Sequence, residues 1–145
     1  FCVDIDSFIY SGVLYQVTAA DPSVLTNGGR AAWLLQNMLA TATSTAQYAA
    51  LQLAVWDIVE DGGNGLNTGR IRSAGTTDAA VVSAANGFLT ASLGHTSNAG
   101  VVYLNVAGAG ASQALMVPGS VPEPSTLGLA GVVLLTLGLA MRRRA

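Results

Sequence analysis

The feature that most restricts this chain is an uncharged apolar run near its C-terminus. Residues 124–141 carry no charged side chain, and from Leu127 onward the sequence reads Leu-Gly-Leu-Ala-Gly-Val-Val-Leu-Leu-Thr-Leu-Gly-Leu-Ala-Met. As a helix, at ~1.5 Å per residue, the stretch from Leu127 to Met141 is about 22 Å long, a little short of a bilayer core. Local thinning and snorkelling of flanking arginines absorb a mismatch of that size. Arg142, Arg143 and Arg144 follow at once; they act as a stop and, by the positive-inside rule, stay in the cytoplasm. A core helix rarely ends on three arginines. Residues 127–145 therefore read as a single transmembrane helix with a cytoplasmic arginine cluster, and the working part faces away from the cytoplasm.

Charge then narrows the function classes. Charged residues make up only 10% of the 145 and there is no lysine. Six arginines less the terminal triplet, and eight acids less Glu123, leave three arginines against seven acids in the body. An acidic body carries no basic footprint for nucleic acid. The chain opens on Phe1, which agrees with a removed secretion signal. Cys2 is the one cysteine, so no intrachain disulfide forms.

Immediately before the apolar run stand Pro122, Glu123 and Pro124. The two prolines hold this stretch extended and keep the helix from starting early. Pro-Glu-Pro, an apolar helix and a terminal arginine cluster together resemble the PEP-CTERM sorting signal. The resemblance covers about the last 25 residues. It implies handling by an exosortase, a membrane protease of Gram-negative bacteria that make exopolysaccharide, acting at or near the tripeptide. Final placement would be the cell envelope, the cell surface or outside the cell.

The body has a mixed pattern. Residues 8–18 are rich in β-branched and aromatic side chains, as in a strand or hairpin. Asp21-Pro22 and Asn27-Gly28-Gly29 are turn signals. Helices are expected over residues 30–39, 44–59 (opened by a Ser44…Gln47 capping box) and 78–93. Residues 61–75 hold five glycines and read as a loop, whereas 100–106 and 113–117 read as closing strands. Strands at both ends with helices between them give an α+β fold: a small β-sheet or barrel formed by the N- and C-terminal strands around an inserted helical part. The expected division is an extracytoplasmic domain at 1–117, a linker with the sorting motif at 118–126, and the membrane segment at 127–145. The Asp61-Gly62-Gly63-Asn64-Gly65 loop has residues suited to calcium but lacks EF-hand spacing and its final glutamate. His95 reads as an ordinary loop histidine, and neither a catalytic constellation nor a cofactor site is legible.

One residue breaks the second helix. Tyr48, Leu51, Val55, Ile58 and Val59 share a face at helical spacing, and Gln52 falls inside that stripe. A primary amide on a core-facing stripe needs partners or costs about 1–3 kcal/mol; a bond to a nearby strand would satisfy it. The surrounding Leu51-Gln52-Leu53-Ala54-Val55-Trp56 resembles the Thr-Gln-x-Ala-Ile-Trp helix of bacterial thioester domains. Phe1-Cys2-Val3-Asp4 is similar to that family's cysteine strand, residues 31–37 to its preceding helix, and residues 57–61 continue the likeness. The sequence departs from the pattern at Leu51, where the family usually has threonine. The resemblance implies an internal thioester between Cys2 and Gln52, with Tyr48, Trp56 and Trp33 as pocket walls. It implies covalent, single-use capture of an amine or hydroxyl on a target surface rather than enzymatic turnover. Sulfur is both a good nucleophile and a good leaving group, so the acyl carbon stays activated. A chain without lysine has no ε-amine of its own to quench such a bond. The alternatives for the protein are a passive structural component of the envelope or exopolysaccharide matrix with a free, buried Cys2, and, less favoured, a secreted hydrolase.

Overall fold

In a computed structural model of the chain, described over residues 1–107 and 112–119, three antiparallel strands carry three helices. The elements are β1 (Gln16–Ala20), α1 (Gly28–Met38), α2 (Thr45–Asp61), α3 (Ala79–Ala91), β2 (Val101–Ala107) and β3 (Leu115–Pro118). All three helices are inserted between β1 and β2. The sheet order is β1-β2-β3, with Gln16 opposite Ala107 and Val101 opposite Pro118. The architecture is α+β as expected, but the strands form an open sheet and not a barrel. The expected transmembrane helix lies outside the described residues, among which no helix is long and apolar enough to cross a membrane.

Local sequence explains most boundaries. Ser44 caps α2 by accepting from the Gln47 N–H, and the Gln47 side chain returns to the Ser44 N–H, which closes the capping box. Asp78 caps α3 by accepting from Ala80 N–H at 2.8 Å. Gly62 ends α2 in the left-handed region, a conformation that costs glycine nothing. The stretch expected as a strand at 8–18 pairs only from Gln16. Before it the chain turns through Gly12, and Phe8, Tyr10 and Leu14 are exposed. Among the described residues its β-favouring composition meets no neighbouring strand to pair with.

The middle helix α2 is covered on two sides. Leu51, Ala54, Val55 and Ile58 enter a cluster with Leu34, Leu35, Val3 and Met116. On the other side Ala50, Leu53 and Trp56 meet Leu66, Ile71 and Ala85. Arg30, on α1, ties two helix ends together. Its Nη1 donates to Gly62 O and its Nη2 to Leu89 O, both at 2.9 Å, placing a cation at the carbonyl ends of α2 and α3.

Asp57 lies on the same helix with a fully buried side chain. Its Oδ2 accepts from Gly65 N–H at 3.0 Å and pins the loop after α2, while Oδ1 has no partner. Burial is the main influence on this carboxyl and raises it above the ordinary carboxylate value, against the Gly65 hydrogen bond that lowers it. The folded state thus favours the proton, and the associated stabilisation is present below the ordinary value and lost as pH rises through the raised one. Asp57→Asn keeps an acceptor for Gly65 and removes that titration. Its stability relative to the parent is expected to improve as pH rises from about 4 to about 7. Urea midpoints across that range give the comparison; a difference that stays flat contradicts this account of Asp57.

Candidate functional site

The N-terminal residues lie along the outer edge of β3. Phe1 and Met116 exchange both backbone hydrogen bonds, at 2.9 and 2.7 Å, and Val3 N–H donates to Ala114 O at 3.0 Å. Cys2 stands between them, in register with Leu115. In an antiparallel pair, backbone groups alternate in direction, so the N–H and C=O of Cys2 point away from β3. They meet the side chain of Gln52, 50 residues further along the chain. Cys2 N–H donates to Gln52 Oε1 at 3.0 Å, and Gln52 Nε2 donates to Cys2 O at 2.7 Å. One carboxamide thus pairs with the free edge of Cys2 as a neighbouring strand would.

Cys2 and Gln52 are both half-buried, and the thiol is free. The Gln52 carbonyl oxygen accepts a hydrogen bond from the very residue that carries the thiol, and its amide nitrogen is held by that residue's carbonyl. Gln113 supports the next position by donating from Nε2 to Asp4 O at 2.7 Å. Nothing in a lone glutamine before a closing strand marks Gln113 in the sequence; its role depends on where the N-terminal segment lies.

The other residues singled out in the sequence are placed differently. Tyr48 is 46% exposed, outside the buried stripe. At 100° per residue the buried positions centre on Ala54 and Ile58, and Tyr48 lies about a quarter turn away in the first helical turns. Trp56 lies one turn beyond Gln52, partly buried, with Nε1 shut from solvent and unpaired. Trp33 is on α1, packed against the first cluster and stacked on His95 with ring centroids 4.1 Å apart. Leu51 is wholly buried in the core. In the glycine-rich loop, Asp61 accepts from Ile71 N–H at 2.6 Å, and this backbone donor is the first cause holding its carboxyl below the ordinary value. No group of three His, Cys, Asp or Glu side chains is gathered for a metal among the described residues.

Pro122, Glu123, Pro124, Arg142, Arg143 and Arg144 lie outside the described residues. Residues 120–144 match the family model of the PEP-CTERM protein-sorting motif. The motif marks an exported protein that is sorted at the membrane by an exosortase and then placed at the surface or outside the cell. It occupies the end of the chain, two residues beyond the last residue of β3. No curated protein and no solved structure matches the chain.

The paired hydrogen bonds carry a structural consequence of their own. Gln52→Leu removes both and leaves the backbone groups of Cys2 without protein partners, so stability is expected to fall by about 1–3 kcal/mol. Hydrogen exchange at the Cys2 and Val3 amides should accelerate together with that loss. Unchanged exchange at both amides would show that Gln52 does not hold this edge.

Proposed function

We propose that the exported part of the chain forms an internal thioester between Cys2 and Gln52 and uses it to capture a nucleophile on a target surface. The observation that carries this reading is the pair of hydrogen bonds, at 3.0 and 2.7 Å, that clamps the Gln52 carboxamide onto Cys2. Addition of the Cys2 sulfur to Gln52 Cδ builds negative charge on Oε1, the atom that already accepts the Cys2 N–H; a donor held at that position favours the addition. The C–N bond then breaks. Nitrogen leaves as ammonia with the thiol proton, and a sulfur–acyl bond takes its place. A target amine or hydroxyl subsequently adds to the same carbon, the thiol is released, and Gln52 becomes the point of attachment. Each protein molecule reacts once. Export supports the reading, because an activated acyl group is best kept from the thiols and amines of the cytoplasm.

A second reading has an observation of its own. Both polar ends of the Gln52 side chain are already satisfied by Cys2, which is sufficient for a purely structural anchor in an envelope or matrix protein with a free thiol. Intact mass separates the two. The thioester predicts freshly purified protein lighter by one ammonia, a stable adduct after methylamine, and loss of both in Cys2→Ala and Gln52→Ala. Full-length mass with freely alkylated Cys2 sinks the thioester and leaves the anchor.

Sorting has a separate test. Replacement of Pro122, Glu123 and Pro124 by alanine is expected to leave the protein in the membrane fraction of a host that contains the exosortase, as the uncut species. Release at the normal rate would show that the tripeptide is not the processing determinant.

A further inference from the structure

A cavity of about 390 Å³ lies beside α2, next to the Cys2–Gln52 pair but not lined by either residue. Its volume is within the ~300–1,000 Å³ usual for small-molecule sites. Leu53, Trp56 and Ile71 contribute apolar and aromatic surface, and Phe8, 64% exposed, contributes from the loop before β1. The only charged side chains in its lining are Arg70 and Arg72. They are the only arginines of the described residues besides Arg30, which is committed to the ends of α2 and α3. A body with more acids than arginines thus directs both remaining cations at one apolar cavity.

The two arginines are not equivalent. Arg70 is paired with Asp6 and, at 2.8 Å, with Glu60, so its charge is largely answered inside the protein. Arg72 is exposed and makes no hydrogen bond or ion pair among the described residues; the acid close enough to feel its charge is Asp61, which is held by the Ile71 N–H. A guanidinium with free donors presents a planar fork that fits a carboxylate, and the attraction strengthens beside an apolar wall that excludes water. We infer that this cavity binds a small amphipathic carboxylate, with its apolar body against Leu53, Trp56 and Ile71 and its carboxylate on Arg72. Binding here is non-covalent and independent of any thioester.

The test uses full-length Cys2→Ala protein, which cannot form a thioester and keeps the backbone groups that Gln52 holds, so the two readings fail separately. 3-Phenylpropionate and its uncharged counterpart 3-phenylpropanol are titrated while the Trp56 indole and the Leu53 and Ile71 methyl resonances are followed. The acid is expected to give saturable shifts at these groups and to bind about tenfold more tightly than the alcohol, a single charge-assisted contact's worth. Arg72→Gln should weaken the acid to the level of the alcohol, and Arg72→Lys, which keeps the charge, should retain part of the difference. Absence of saturable shifts overturns the site, as does equal affinity for acid and alcohol, or an Arg72→Gln variant that binds the acid like the parent.

Discussion

The rest of the domain depends on how the first four residues are held to it. They form no helix and pair with β3 over a very short stretch, so their order has to offset a backbone entropy of about 1–2 kcal/mol per residue. β3 supplies hydrogen bonds on one side. On the other side an ordinary sheet would need another strand, and this fold has α2 there. Gln52 resolves the conflict because a primary amide has the same donor and acceptor as a peptide group. With Cys2 held from both sides, Val3 can close the core cluster formed by α1, α2 and β3. The hold on Cys2 and the closure of the core therefore rest on one side chain.

That arrangement places strong demands on α2. It must bury apolar residues on two sides and still offer an amide at its margin. The small residues Ala50 and Ala54 allow close approach on the buried positions, and the capping box fixes where the helix starts, hence where Gln52 points. Its far end is fixed as well, by Gly62 and by Arg30 reaching from α1. Asp57 is the cost of this arrangement, a buried carboxylate with one unpaired oxygen that fastens the loop leading to Ile71. Ile71 in turn closes the second cluster and walls the cavity beside Trp56.

Features controlled by nearby residues were legible in the sequence. The Ser44 box and the glycine-rich loop each depend on a few neighbouring side chains, and they occur where expected. Gln52 stood out because an amide inside an apolar stripe demands a partner, and a nearby strand was one candidate. Tyr48 was misplaced because periodicity locates a stripe but not its centre, which depends on the elements that cover it. The strand expected from residue 8 begins only at Gln16 for a similar reason: composition favours extended chain there, and pairing depends on the path taken from Asp4. Gln113 and Arg72 left no mark, since their roles exist only once distant segments meet.

The sheet register gives the domain a direction. Residues 4 and 16 are both attached near the Ala107 end of β2, through Gln113 and through the Gln16–Ala107 pair, so the loop between them crosses that end of the sheet. Pro118 lies opposite Val101, at the other end. The sorting motif begins two residues later, so the chain leaves the sheet towards it from the Pro118 end. The loop containing Phe8, Tyr10 and Leu14 is at the opposite end, with Phe8 at the cavity. Cys2, in register with Leu115 and so level with Leu104, lies midway along the sheet. Strand order therefore puts the exposed apolar loop and the cavity at one end of the sheet, the departure towards the sorting motif at the other, and Cys2 with Gln52 between them.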